Sequence, residues 1–185
     1  MIGGMRLGVA QHFGWAVAVT ASAHHEVVDR RRIELIEPGV PSAPIHNEAR
    51  HLDDGALATL VAEVRASVTR AASASLDELA AALPERIVSM SLRAWPLDFP
   101  DDIAIQRRAP FESLADSVMY RQVLADVARA RGWDVHLYDA RDVERRAADL
   151  LAERADEVLL GPRATMGPPW AKDHRMALAA TIVAG

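Results

Sequence analysis

Apolar and polar positions alternate along the first forty residues, which predicts three β-strands joined by tight turns. The first strand covers residues 7–10, and a turn at residues 12–14 leads into the second strand, residues 15–22. The second strand carries Trp15, Val17 and Val19 on one face and small alanines on the other. The third strand covers residues 27–36. Three short consecutive strands of this kind indicate an antiparallel meander.

The next segment changes from strand-like to helical periodicity. Three prolines between residues 38 and 44 predict a connector without regular structure. A long helix is then predicted, with Asp53 or Asp54 as its N-cap, because leucine and valine recur every three or four residues. Pro84 ends this helix, since proline cannot continue the hydrogen-bond ladder.

Strand and helix patterns alternate in the second half of the chain. A fourth strand is predicted over residues 86–95 and a fifth over residues 134–139. The helix between them is expected to open at Ser113, with Asp116 three residues later in the arrangement of a capping box. Two more helices follow the fifth strand, one from about residue 141 and one over residues 171–183.

The element order is therefore β-β-β-α-β-α-β-α-α. Helices that separate the later strands require crossover connections and hence parallel neighbours, whereas the opening meander is antiparallel. The pattern predicts a single α/β domain over residues 1–185, with a mixed five-stranded sheet flanked by helices. The meander contributes three of these strands, and two parallel strands complete the sheet. No internal repeat or low-complexity tract divides the chain.

Composition narrows the possible functions. The 185 residues include no cysteine, which excludes disulfides, thiolate metal sites and cysteine nucleophiles. The formal charge of −5 argues against a broad nucleic-acid-binding surface, which needs clustered Lys and Arg. Residues 30–32 and 107–108 are two arginine clusters that could form a local strip or simply be solvated. No apolar run reaches the ~20 residues that cross a bilayer. We therefore expect a cytoplasmic protein that does not contact membranes.

Two stretches carry a more specific pattern. The first, LGVAQHFGWAVAV at residues 7–19, is a strand, a glycine-bearing turn and a second strand that begins with Gly-aromatic. The second, GPPWAKDHRMALAAT at residues 167–181, is an Ala-rich closing helix with an acid in its first turn. Together with the element order, they resemble the ribonuclease H-like superfamily, which includes Holliday-junction resolvases, transposases and integrases. The likeness in element order spans nearly the whole chain.

The resemblance implies a set of metal-binding positions. Members that cut nucleic acid usually hold two divalent metals with three or four carboxylates, because paired cations clamp the attacking and leaving oxygens and Mg²⁺ prefers oxygen ligands. The first implied position, at the end of the first strand, falls on Ala10 with Gln11 beside it. The fourth strand offers no acid before Asp98. The two helical positions offer acids that could equally serve as caps or complement the helix dipole: Asp53 or Asp54, and Asp173.

Two of the four implied carboxylates are therefore missing. This predicts a catalytically degenerate ribonuclease H-like domain that acts in nucleic-acid or protein binding. The alternative is a metal-dependent nuclease or phosphodiesterase that uses Mg²⁺ or Mn²⁺, with Asp54 and Asp173 as candidate catalytic residues. A third class is a homo-oligomer whose surface serves only assembly. The carboxylates available for the alternative are Glu48, Asp54, Asp98, Asp116 and Asp173.

A polar cleft is predicted at one end of the sheet. His12 follows the first strand, His46 precedes the first helix and His174 opens the last helix. If these segments converge, Gln11, His12 and His46 are candidate ligand-binding residues, with Asp173 beside them, for a metal or an anionic ligand. The competing interpretation is scattered surface histidines. The chain contains neither G-x-x-x-x-G-K nor G-x-S-x-G, so nucleotide hydrolysis and serine hydrolysis have no support.

Overall fold

A mixed five-stranded sheet forms the centre of the protein, as predicted. The computed structural model describes residues 3–184. The strands are β1 (Met5–Gln11), β2 (Trp15–Ala21), β3 (Val27–Glu34), β4 (Ile87–Arg93) and β5 (Asp134–Tyr138). Their spatial order is β3-β2-β1-β4-β5, antiparallel within the meander and parallel from β1 to β4 and from β4 to β5.

Helices cover both faces of this sheet. They are α1 (Pro44–Glu48), α2 (Asp54–Ala81), α3 (Ile103–Gln106), α4 (Ala115–Ala130), α5 (Val143–Leu151), α6 (Ala155–Leu160), α7 (Pro162–Met166) and α8 (Lys172–Val183). A 3-10 helix, Ala152–Arg154, links α5 to α6. Helices α2 and α4 pack on one face, and α5, α6 and α8 pack on the other. Within residues 3–184, no helix combines the length and the apolar character that crossing a bilayer requires.

Alternating side chains of the central strands divide the interior into two cores. Leu7 and Val9 of β1 belong to the core beneath α2 and α4. Val17 and Val19 of β2 belong to the core beneath α8. The alternation predicted for β2 is confirmed, and both of its faces are buried because helices lie above and below it.

A glycine lets α8 lie directly on β1. A Cβ atom at Gly8 would stand 1.8 Å from the carbonyl oxygen of Ala177, far inside van der Waals contact. Both partners in this contact are backbone, so a side-chain rotation cannot relieve it. The close approach brings the first turn of α8, which carries Asp173, to the carboxyl end of β1.

The predicted capping box at the start of α4 is wrong. Helix α4 begins at Ala115, and the carboxylate of Asp116 accepts hydrogen bonds from the backbone N–H groups of Ile45 (3.1 Å) and His46 (2.8 Å). Those groups belong to the first turn of α1, where helical N–H groups have no intrahelical partner. The proline-rich connector therefore contains a helix, because Pro44 suits a first turn and Asp116 caps it from α4.

Several boundaries also differ from the sequence prediction. β3 ends at Glu34, two residues earlier than predicted. The sequence pattern does not predict α3, which Asp102 caps by accepting from the Ala104 N–H at 2.8 Å. One helix is predicted between about residue 141 and the last helix, but the structure has α5 followed by two further helices, α6 and α7. Gly161-Pro162 lies between them because proline is compatible with the first position of α7.

Candidate functional site

A cleft opens at the carboxyl ends of β1 and β4. Because β1, β4 and β5 are parallel neighbours, their last residues, Gln11, Arg93 and Tyr138, lie along one edge of the sheet. Helix α4 and the segment before it face this edge across a space of about 390 Å³. Crevices at the carboxyl ends of strands are where open α/β sheets bind ligands. The lining includes Gln11, His12, Phe13, Arg93, Leu114 and Arg121.

A buried arginine of α4, Arg121, lines this cleft. Its side chain is only 6% exposed. Nε donates to the side-chain oxygen Oε1 of Gln11 and Nη1 donates to the backbone oxygen of Ala94, both at 3.2 Å. Both acceptors are uncharged, and none of the salt bridges within residues 3–184 involves Arg121.

Electrostatics agrees with this geometry. Burial, together with the positive charge of Arg93, lowers the pKa of Arg121 to about 10. The guanidinium is still charged at neutral pH, since that value lies well above 7. The cleft therefore contains a buried cation whose hydrogen-bond partners carry no negative charge.

The rim of the cleft combines another cation with apolar surface. Arg93 is exposed and takes part in none of the ion pairs formed by the described residues. Phe13 and Leu114 are each 42% exposed. The nearby hydroxyls of Ser113 and Ser117 donate to backbone carbonyls. Arg93 and Arg121 are the two arginines that line the cleft, and they supply its positive charge.

A histidine–aspartate pair forms the side of the cleft nearest α8. The Asp173 carboxylate accepts a hydrogen bond from His12 Nε2 at 2.8 Å. The His12 ring stacks on Trp15, with centroids 4.2 Å apart and planes 9° from parallel. Gln11 Nε2 donates to the backbone oxygen of His12 at 2.5 Å. The turn after β1 is thus held to α8, and three of the candidate residues come together here.

Two further cavities lie near the cleft. One, of about 500 Å³, lies beside β2 and β3 and is lined by Trp15, Arg32 and Asp173 among others. The other, of about 360 Å³, shares Arg93 with the cleft and includes Tyr138. The His12–Asp173 pair stands between the cleft and the first of these cavities. We call the three spaces together the edge groove.

The arginine cluster on β3 is engaged in internal contacts. Arg31 and Arg32 pair with Asp29 and Glu34 of the same strand, each at 2.8 Å. Arg30 donates to backbone carbonyl oxygens in the loop before α8. These arginines therefore fix local structure, and the loop that Arg30 holds forms one wall of the edge groove.

Two candidate residues lie outside the edge groove. Asp54 Oδ1 accepts a hydrogen bond from Arg107 Nη1 at 2.6 Å, and Arg107 also donates to the backbone oxygen of Leu52 at 2.8 Å. His46 is exposed on α1, where its backbone N–H is bound to Asp116. The structure brings Gln11, His12 and Asp173 together but does not bring His46 or Asp54 to them.

The residues at the cleft do not fit the two-metal centre that the resemblance implies. Ala10 and Gln11 end β1, and β4 offers a buried serine, Ser91, before the cationic Arg93. Within residues 3–184, no three His, Asp or Glu side chains are grouped so that they could hold a metal ion. Divalent cations need anionic oxygen ligands, whereas this cleft presents Arg93 and Arg121.

Sequence reasoning missed Arg121, although a signal was present. Val118 and Ala125 lie three residues before it and four residues after it, and both are buried. Residues at these spacings share one face of a helix. An arginine on the buried stripe of an amphipathic helix is a sign of a functional or paired charge, because arginine is almost never buried without a partner.

Comparison with known proteins establishes the fold. One solved structure, "T. thermophilus RuvC in complex with Holliday junction substrate", is similar with a TM-score of 0.51 at 13% identity, over 97% of this chain and 91% of that chain. A second, of Thermus thermophilus RuvC, gives a TM-score of 0.50 at 11% identity, over 97% and 92%. No family model matches the chain, and no curated protein matches it in sequence. The fold is ribonuclease H-like, which confirms the expected architecture.

Proposed function

We propose that this protein binds nucleic acid in the edge groove and does not cut it by the two-metal mechanism. The observation that carries the proposal is the charge of the cleft. In a chain of net charge −5, Arg121 and Arg93 both stand at the carboxyl edge of the sheet without a carboxylate partner. Nucleic-acid affinity derives largely from contacts between such cations and phosphates.

The shape and surface of the groove support the same proposal. The 360 Å³ cavity shares Arg93 with the cleft, whereas the His12–Asp173 pair separates the cleft from the 500 Å³ cavity, so an extended strand that occupies all three spaces must pass over this pair. Phe13 is exposed beside Arg121, and aromatic side chains next to cations are the usual platform on which unpaired bases stack. A single strand, or the branch point of a junction, offers both a phosphate and an unpaired base.

The chemistry of the side chains supports binding without hydrolysis by paired metals. Asp173, the acid implied by the resemblance on the last helix, is bound to His12. Asp54 is bound to Arg107, away from the cleft. An arginine can neutralise phosphate charge, but it cannot activate water as a bound metal does. Within residues 3–184, no three acids or histidines are grouped so that they could hold a metal ion, so the alternative of relocated carboxylates has no supporting cluster there.

Binding of fluorescent oligonucleotides tests this function. We expect single-stranded DNA and a four-way junction to bind in EDTA, with an affinity that falls as salt rises. The junction is included because one of the similar structures contains a Holliday junction substrate. Arg93→Glu should weaken binding about tenfold or more, since it replaces a phosphate contact with repulsion. Fluorescence anisotropy measures each dissociation constant.

Arg146→Glu is the matched control, because Arg146 is exposed on α5 and is not among the residues lining the edge groove. This variant changes the net charge by the same amount and should bind as the native protein does. The proposal is refuted if no nucleic acid binds, or if both variants lose the same affinity. Sustained cleavage of the junction in Mn²⁺, absent from Asp173→Ala, would refute the non-cleaving part.

A further inference from the structure

The guanidinium of Arg121 has hydrogen-bonding capacity that the protein leaves unused. Its Nε and Nη1 bind neutral oxygens of Gln11 and Ala94. Among the hydrogen bonds within residues 3–184, none is made by Nη2, and this atom is not one of the buried side-chain atoms that lack a partner. Nη2 therefore keeps access to the space that Arg121 lines, the cleft at the end of β1.

A buried cation without a counter-ion is costly in free energy. Removing a charge from water is unfavourable unless an opposite charge compensates for it. Arg93, which lines the same cleft, is also a cation, and its charge increases the cost of keeping Arg121 charged. A residue that destabilises the folded protein in this way indicates a ligand that supplies the missing charge. That ligand must be an anion small enough to enter the cleft.

The chemistry of arginine narrows the class of anion. The planar guanidinium offers parallel N–H donors that match the oxygen spacing of phosphate and carboxylate groups. Arg93 on the rim adds a second cation, and the exposed Phe13 adds an aromatic face. Two cations favour the doubly charged oxyanion, and a phosphate that belongs to a nucleotide also brings a base for the aromatic ring.

We propose that the cleft seats one phosphate group between Arg121 and Arg93, with no divalent cation. The inference deepens the proposed function and rests on it for the source of the phosphate, which is the nucleic-acid backbone. The fixed guanidinium of Arg121 then stands where the resemblance places metal ions. It holds the phosphate by charge-assisted hydrogen bonds, and Gln11, which follows the position of the absent acid, orients the guanidinium through its Oε1.

Thermal unfolding in EDTA with inorganic phosphate tests this phosphate site directly. An anion that binds only the folded state raises the melting temperature, and the rise grows with the logarithm of the anion concentration once this exceeds the dissociation constant. We expect phosphate to raise the melting temperature of the native protein and to leave that of Arg121→Met unchanged. In phosphate-free buffer, Arg121→Met should melt at the same or a higher temperature than the native protein, because the variant no longer buries an unpaired charge.

Two further variants separate charge from geometry. Arg121→Lys keeps the positive charge but loses the planar guanidinium with its parallel N–H donors. We expect its dissociation constant for phosphate to rise about tenfold. Arg146→Met is the matched control and should respond to phosphate as the native protein does. Equal responses from native protein and Arg121→Met would overturn the inference, and so would a response that requires Mg²⁺.

The outcomes distinguish this inference from the proposed function. If phosphate binding depends on Arg121 but the protein binds no oligonucleotide, the phosphate site is supported and the nucleic-acid function is refuted. If Arg121→Met binds the oligonucleotide as well as the native protein does, the nucleic-acid function is supported and the phosphate site at Arg121 is refuted. Displacement of a bound oligonucleotide by phosphate supports the backbone as the source. Phosphate that binds without displacing the oligonucleotide refutes that source and indicates a small phosphorylated ligand.

Discussion

We expect Gly8→Ala to lower the free energy of unfolding by about 3 kcal/mol or more, the upper end of the cost of overpacking a core. The added Cβ would lie 1.8 Å from the Ala177 carbonyl oxygen. Because neither backbone can move alone, α8 must shift away from β1 and expose part of the core that it covers. Urea denaturation of the native and variant proteins measures the difference.

Gly55→Ala is the matched control for this substitution. A Cβ at Gly55 meets its nearest neighbour, Asp53 Oδ1, at 3.5 Å, an ordinary contact. The position lies in the first turn of α2, where alanine is at least as favourable as glycine, so stability should stay the same or rise by up to ~1 kcal/mol. If Gly8→Ala is as stable as this control, the described packing of α8 on β1 is wrong.

The displacement of α8 should also be visible at the site. Asp173 is in the first turn of α8, and its carboxylate reaches His12 only while the helix lies close to β1. Any Gly8→Ala protein that remains folded should therefore lose the contact between these two side chains. The oligonucleotide affinity would fall as well, because the pair holds the turn that carries Phe13.

Asp116→Ala is expected to cost about 2–4 kcal/mol of stability, since two backbone donors lose their acceptor and one of these bonds is buried. These two hydrogen bonds fix the first turn of α1 to α4. The matched control is Asp126→Ala, which removes an exposed carboxylate from the same helix. That substitution should change stability by no more than about 0.5 kcal/mol. Equal losses in both variants would contradict the capping role.

The pH dependence of the Asp116→Ala effect follows from linkage. Burial raises the pKa of Asp116 above its usual value, although the N–H groups of His46 and Ile45 act in the opposite direction. The folded protein therefore binds this proton more tightly than the unfolded chain does. The stability difference between native and variant protein should be largest at acidic pH. It should shrink as the pH rises from the ordinary aspartate range through the raised pKa, which denaturation at several pH values would show.

The sheet could be predicted from the sequence because its determinants are local. Alternating residues on β2 and helical periodicity between the later strands predict strand type and direction, and the observed antiparallel and parallel pairings agree. The short helices were missed because their stabilising groups come from elsewhere in the chain. Helix α1 depends on Asp116, which lies seventy residues from His46 in sequence. A local sequence pattern cannot predict a cap that comes from so far along the chain.

The site was predicted only in part for the same reason. The convergence of Gln11, His12 and Asp173 follows from the ends of β1 and α8, which the element order places at one edge. Arg121 contributes from α4, and its importance lies in the absence of a counter-ion, which only three-dimensional neighbours reveal. The sequence predicts His46 at the cleft because it precedes α2. In the structure Asp116 fixes α1, and the side chain of His46 is exposed.

We propose that the guanidinium of Arg121 takes the place of metal ions at the carboxyl edge of the sheet. Crystals soaked separately in tungstate, a heavy analogue of phosphate, and in manganese test it through anomalous diffraction. We predict a tungsten peak within hydrogen-bond distance of Arg121 Nη2 and no manganese peak in the cleft. A pair of manganese peaks between Gln11 and Asp173, or a cleft without tungsten, would contradict this role of Arg121.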